Sequence, residues 1–219
     1  MERAIEKQLR LRRILQILKK TYPDARLALE YSNPLELLIA LILAAQAPDE
    51  RVNQVTAKLF KNYHCAADWA EEKSQTLQQS LAQIPFYRNK TRLIQKACRM
   101  ICDNFAAKVP SSLDTLLELP GVGRKTANIL LGNAFGVPAI GVDRHVARLS
   151  LRLGLTRKTK PDDIERELEP LVPKSQQVNF CHLLQFHGRQ ICLASKPKCD
   201  DCPIRSLCPY PARKGNLGT

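Results

Sequence analysis

The sequence offers no apolar run long enough to cross a membrane. The longest, "LLIALILAA" from Leu37 to Ala45, has nine residues, roughly half of the ~20 that a bilayer-spanning helix needs. Nor is there a convincing stretch of alternating apolar and polar residues, which argues against a strand-built core and leaves an all-α fold. Internal repeats, low-complexity tracts and long linkers are also missing, so composition announces no domain boundary. The amino end, "MERAIEKQLRLRRILQILKK", has no continuous apolar region and carries Glu2 and Glu6, which fits neither a secretory signal nor a mitochondrial presequence. A cytoplasmic chain is expected, with thiols that stay reduced or bind metal. Acidic residues are in short supply: 21 Asp and Glu face 34 Lys and Arg, for a net charge of +13. That balance favours a polyanionic partner, either nucleic acid or an acidic membrane surface.

What the chain does have is apolar spacing at the helical period. With 219 residues and 44% hydrophobic content it can bury a sizeable core. "SNPLELLIALILAA" opens with Ser32 or Asn33 as a cap and Pro34 at the first helical position. Further helices are expected over 49–63, 75–83 and 87–105. Ser111 or Ser112 caps a short helix ending at Leu119, "PGVG" interrupts it, and a helix resumes from Arg124 to Phe135. Asp143 caps the next one, through Val146, Leu149 and Leu153, and two more fit 161–171 and 175–191. The tail "PARKGNLGT" is expected to be loose.

A short helix, a Gly-rich turn and a second helix make a helix-hairpin-helix. Without side chains at Gly121 and Gly123, a phosphate can approach the backbone and meet the N–H groups that open the second helix. Lys125 stands in that first turn beside Arg124, where the helix field and its neighbour disfavour a cation. A lysine left partly neutral is a nucleophile able to form a Schiff base, although gripping phosphate would equally explain it. In "GVDRHVARL", Asp143 opens a helix, where a carboxylate both caps main-chain N–H groups and stays available for proton transfer.

Of eight cysteines, four fall within "CLASKPKCDDCPIRSLC": Cys192, Cys199, Cys202 and Cys208, separated by six, two and five residues. Four thiolates so close can wrap one metal centre. A single close pair flanked by lone cysteines suits a four-iron cluster better than the two pairs usual for zinc, but this spacing leaves both open. Lys196 and Lys198 lie between the first two ligands, so the metal would brace a basic loop. Cys65, Cys98, Cys102 and Cys181 read as small buried apolar residues.

Taken together, "LPGVGRKTAN", "VDRH", "HGRQIC" and the four-cysteine spacing resemble the endonuclease III family, helix-hairpin-helix iron-sulfur DNA glycosylases with apurinic-site lyase activity. The resemblance covers nearly the whole chain and implies a [4Fe-4S] cluster on the four cysteines. It also implies a six-helix barrel domain over 27–137, with its hairpin at about 112–135. A discontinuous iron-sulfur cluster domain, 1–26 plus 138–219, would complete the fold, with a cleft between the two and Lys125 and Asp143 at its mouth. The implied activity is base excision repair: a damaged base, usually an oxidised pyrimidine, is flipped out of duplex DNA, removed through a Schiff base on Lys125 with help from Asp143, and the strand is cut by β-elimination. Gln46 would fill the hole left by the flipped base and Phe86 would wedge into the stack. Gly121, Val122, Gly123, Arg124, Arg144, His145, Lys196 and Lys198 complete the expected DNA contacts, for a monomer associated with the nucleoid.

The chain departs from the family pattern at Ala44, Pro48, Pro85 and Arg144, which points to a narrowed or altered lesion range as an alternative. A monofunctional adenine-mismatch glycosylase would carry Ser in place of Lys125 and a further carboxyl-terminal domain. A non-catalytic iron-sulfur DNA-binding or redox protein would need neither Lys125 nor Asp143.

Overall fold

The computed structural model describes residues 3–211; most of the tail expected to be loose lies outside the described residues. Eleven α-helices follow one another among these: α1 Ala4–Thr21, α2 Pro34–Ala44, α3 Asp49–Leu59, α4 Ala66–Glu71, α5 Ser74–Ser80, α6 Tyr87–Asn104, α7 Leu113–Glu118, α8 Arg124–Ala134, α9 Arg144–Arg152, α10 Pro161–Leu168 and α11 Gln177–Gln190. Short 3-10 turns occur at Lys174–Gln176 and Arg205–Leu207. No strand is present among the described residues, and none of their helices is long and apolar enough to cross a membrane.

The chain divides into two compact units: Leu27–Val137 forms one, and the residues up to Arg26 and from Pro138 onward form the other. In the first, the nine-residue apolar run becomes α2, whose residues Leu37 to Leu43 are all buried. A helix apolar all round belongs at the centre of a core, and α3, α6 and α8 pack against it. Asn33 opens α2 by accepting the Glu36 N–H at 3.0 Å, with Pro34 in the first turn. Likewise Ser112, not Ser111, caps α7 through the Thr115 N–H. The helix expected over 49–63 stops at Leu59, and a turn follows in which the N–H groups of Asn62 and Tyr63 share the Leu59 carbonyl at 2.9 Å.

The spacing does not announce α4, which at six residues is too short to show a period. Two things hold it: Asp68 accepts the Cys65 and His64 N–H groups at 2.9 and 2.6 Å, and buried Trp69 packs against Tyr63 and Phe60 with ring centroids 4.8 and 6.3 Å apart. The scattered cysteines divide. Cys98 and Cys181 are buried, but Cys102 is half-buried and Cys65, at the start of α4, is exposed, so the apolar reading fails for Cys65.

The second unit takes α1 from the beginning of the chain and α9, α10 and α11 from its later part. Leu11, Ile14 and Leu18 of α1 join Val146 and Leu149 of α9, Ile164 of α10 and Phe180 and Leu184 of α11 in one apolar cluster. Arg10 secures α1 further, donating to the carbonyls of Leu153 and Leu207 at 2.9 and 3.0 Å.

Candidate active site and cysteine centre

Three helix starts in this chain differ in how they are closed. Ser112 caps α7 and Asp143 caps α9 with side-chain oxygens, whereas Gly123, at the cap position of α8, has no side chain to offer. The two hairpin glycines also differ. Gly121 has φ +86° and the added Cβ would stand 3.2 Å from the Leu93 Cβ, so this residue must be glycine for the turn to form and pack on α6. A Cβ at Gly123 would meet nothing within 4 Å. Open space above a helix start that has no side-chain cap is where an anion can come close to the backbone. Lys125 is exposed in the first turn of α8, one residue after Arg124. Val122 contributes differently from expectation: its side chain is buried and its N–H is bonded to the Leu119 carbonyl at 3.1 Å, so it holds the turn instead of facing a ligand.

Gln46 and Phe86 share an unusual backbone. Gln46, exposed in the turn between α2 and α3, has φ +57°; Phe86, at the start of α6 and 65% exposed, has φ +60°. Left-handed conformations in non-glycine residues cost about 1–3 kcal/mol each and persist only where the surroundings impose them. The other two such residues, Ala106 and Ala107, follow the end of α6, where the Ala107 N–H closes the helix on the Ile101 carbonyl at 3.0 Å. No such helix ending accounts for Phe86, which precedes its helix.

In the second unit, the Asp143 Oδ1 accepts the N–H groups of His145 and Val146, both at 2.8 Å, which fixes the carboxylate at the start of α9. Arg144 is exposed beside it. His145, expected among the DNA contacts, is buried instead: its Nδ1 lies 3.1 Å from the Arg148 guanidinium, and burial pushes its pKa down. The Arg144 Nε stands 3.4 Å from the other His145 ring nitrogen, so the ring lies between two arginines of α9. Arg148 also donates to the carbonyls of Gly188 and Cys192, each at 3.0 Å.

Cys192, Cys199, Cys202 and Cys208 all line one small cavity. The surroundings suit a thiolate-bound, electron-rich cluster. Arg152 donates to the Cys192 Sγ at 3.2 Å and to the carbonyls of Leu193 and Ala194 at 2.6 and 2.7 Å, and it stacks 4.6 Å over the Tyr210 ring. Burial lowers the His187 pKa to about 4, so the ring is neutral and has one N–H. The Tyr22 hydroxyl lies 2.9 Å from Nδ1 and the Cys202 Sγ 3.5 Å from Nε2; with a thiolate at Cys202, the His187 Nε2–H would donate to sulfur and the Tyr22 O–H to Nδ1. Burial pushes the Cys202 and Cys208 thiols up, so thiolates there call for the positive charge of bound iron. Lys196 and Lys198 stand exposed on the loop between the first two cysteines.

Arg148, Arg152, His187 and Tyr22 are functional neighbours that motif spacing does not reveal. A usable signal existed for two of them: Arg148 and Arg152 fall on the same face of α9 as His145 and Leu149, where solvent-facing charge is not expected.

A hairpin whose second helix opens without a side-chain cap beside an exposed lysine, an aspartate that caps α9 and four cysteines around one cavity fit a helix-hairpin-helix, iron-sulfur class of DNA repair enzyme. The family model described as "HhH-GPD superfamily base excision DNA repair protein" matches residues 39–174, and "Iron-sulfur binding domain of endonuclease III" matches residues 192–208. Endonuclease III of Synechocystis sp. is 46% identical over 95% of this chain and 96% of its own length; that of Bacillus subtilis is 45% identical over 85% and 86%. A solved non-covalent endonuclease III-DNA complex superposes with a TM-score of 0.89 at 41% identity, covering 95% of this chain and 98% of that one. The chain belongs to the endonuclease III family: it is a bifunctional DNA glycosylase and apurinic-site lyase of base excision repair, with a [4Fe-4S] cluster.

Proposed function

We propose that the chain removes oxidised pyrimidines from duplex DNA as a monomer at the cytoplasmic nucleoid, with Lys125 as nucleophile and Asp143 as its proton partner. The observation that carries this reading is Lys125 itself, exposed in the first turn of α8 directly after a phosphate-accepting turn. A structure 42% identical to this chain is a trapped endonuclease III-DNA covalent intermediate, which supports a nucleophilic side chain in this one. Once the damaged nucleotide is flipped out, the Lys125 Nζ attacks the sugar C1′, the glycosidic bond breaks, and the base leaves with the bonding electrons and a proton. Asp143 takes the proton lost by the amine and passes it to the departing base; with Oδ1 held by two main-chain N–H groups, Oδ2 is the oxygen that does so. Ring opening, in which O4′ takes a proton from water, gives the protonated Schiff base; a C2′ proton is then lost to water and the 3′ phosphate leaves with the bonding electrons.

Gly121, Gly123 and Arg124 hold the phosphate backbone, Gln46 and Phe86 enter the duplex, and Arg144, Lys196 and Lys198 add to the basic face. Cys192, Cys199, Cys202 and Cys208 hold the cluster, which when bound cross-links the loop carrying the two lysines. A restricted lesion range is favoured by two prolines. Pro48 stands two residues after Gln46 and Pro85 directly before Phe86, and each stiffens the segment that would adapt to a lesion.

Borohydride trapping tests the assignment. The protein is mixed with duplex DNA carrying one abasic site and, separately, one oxidised pyrimidine. A covalent band on both DNAs that disappears in Lys125→Ala is expected. A band on abasic DNA alone would move the lesion assignment to another damaged base, and no band on either would overturn the role of Lys125.

A further inference from the structure

Lys90 is 4% exposed, although a lysine normally keeps its ammonium in water. Its place on α6 continues the apolar face of Ile94, Ala97 and Ile101, where a leucine or methionine would bury without a desolvation cost. Instead the Nζ donates to the carbonyls of Leu43 and Ala45, at 2.7 and 2.6 Å. These belong to the carboxyl-terminal end of α2, where carbonyls lack helical partners and the helix field favours a cation. Burial lowers the pKa of Lys90.

What those contacts connect gives the residue its meaning. Ala45 directly precedes Gln46, and the Ala47 N–H closes the same turn on the Ala44 carbonyl at 3.2 Å. At the other end, the main-chain N–H of Lys90 donates to the carbonyl of Phe86 at 3.1 Å. That bond is the first of α6 and any residue at position 90 would make it; what the Lys90 side chain adds is a tie from the opening turn of α6, which follows Phe86 at φ +60°, to the turn that carries Gln46 at φ +57°. Strained turns keep their shape only where something outside them imposes it.

We propose that Lys90 is a positioning residue that clamps the Gln46 turn and the Phe86 turn in fixed relation, so that the residue filling the vacated base position and the residue wedging the stack enter DNA together. The inference rests on the reading of Gln46 and Phe86 as the residues that enter the duplex. Lys90 touches neither the damaged base nor the sugar; it acts through the carbonyls on either side.

The test is a double-mutant cycle on the full-length, cluster-loaded protein, with variants Lys90→Met, Gln46→Ala and both together. Two quantities are read: the single-turnover rate of excision of an oxidised pyrimidine, and the fluorescence of 2-aminopurine placed opposite the lesion, which rises when the stack opens. Lys90→Met is expected to slow excision by about tenfold to a hundredfold, the scale of misplacing a positioning group, and to blunt the fluorescence rise. Added to Gln46→Ala, it is expected to cost little more, since both variants disable the same element. Independent, multiplicative losses would overturn the clamp while leaving the Gln46 reading intact. Full activity of Gln46→Ala would overturn that reading and the clamp with it. If Lys90→Met does not fold, Lys90→Gln, whose amide retains two N–H donors in a shorter chain, carries the same comparison. Coupling to Gln46 is the expected result there too, and independence overturns the clamp.

Discussion

Replacing each hairpin glycine by alanine separates the glycine that the fold needs from the one that the ligand needs. Gly121→Ala forces an L-residue to φ +86° and brings its Cβ to 3.2 Å from the Leu93 Cβ. The left-handed backbone alone costs about 1–2 kcal/mol, and the close approach to α6 adds to it. For a chain of this size each kcal/mol lowers the unfolding midpoint by about 2–4 °C, so a clear thermal shift is expected. Gly123→Ala meets neither obstacle: φ is −95° and ψ 172°, ordinary extended values, and nothing lies within 4 Å of the new Cβ. Alanine caps a helix less well than glycine, at a cost of about 0.5–1 kcal/mol, but it restricts the unfolded chain by about 0.4–1 kcal/mol, so the net change in stability stays small. The same methyl group stands where a phosphate would approach the backbone. DNA affinity is therefore expected to fall about tenfold, and the slope of log affinity against log salt to weaken by about one phosphate contact. Thermal unfolding and a salt series of binding isotherms on both variants provide the check. A Gly123→Ala protein that binds DNA with wild-type affinity and wild-type salt slope would refute the reasoning that the open face of the hairpin receives phosphate.

Two further outcomes follow from the second unit. Arg152→Leu removes the guanidinium donations to the Cys192 Sγ and to the Leu193 and Ala194 carbonyls. One charge-assisted hydrogen bond lost from this partly exposed network is worth about 1.5 kcal/mol, so the visible absorption of the cluster should bleach about tenfold faster in chelator and oxidant, and an unchanged half-life would speak against the role assigned to Arg152. Burial holds the His182 pKa below its ordinary value of 6.5. The unfolded chain then takes up the proton first as pH falls, so the stabilisation is complete above about pH 6.5 and is lost as pH descends through the folded-state value. The unfolding midpoint should drop below pH 6.5 and the drop should be smaller in His182→Leu; parallel pH curves for the two proteins would discount His182.

The placement of the functional chemistry in this fold follows from how its helices are ended. Where a helix start is capped from within, as Asp143 caps α9, the capping group is held in a fixed orientation and is available for a second task. Where the cap position is a glycine, as at α8, the protein supplies no side-chain oxygen and an external anion can take its place. The carboxyl-terminal end of α2 is the opposite case, closed by a cation from a different helix.

The sequence by itself determined those features whose causes are local. The helical period, caps within the pairs Ser32–Asn33 and Ser111–Ser112 (the structure choosing the second of each), Pro34 in the first turn of α2, the glycine turn before α8 and the cysteine spacing each depend on residues within a few positions of one another, and chain chemistry at that range is legible without coordinates. The short helix α4 escaped because six residues show no period and its support comes from the packing of Trp69 on Phe60 and Tyr63. The buried side chain and occupied N–H of Val122, the inward-facing ring of His145 and the exposed thiol of Cys65 were equally hidden, since periodicity marks a face but not what covers it. Only the tertiary structure decided that Arg148 and Arg152 reach the cysteine loop across some forty residues of sequence, and that Lys90 spans two turns 40 residues apart in the chain. Such contacts are set by which helices pack together, and a residue's own neighbours in sequence hold no record of that. A lysine on the apolar stripe of α6 was the one visible sign, and its meaning depended on the carbonyls that the fold brought to meet it.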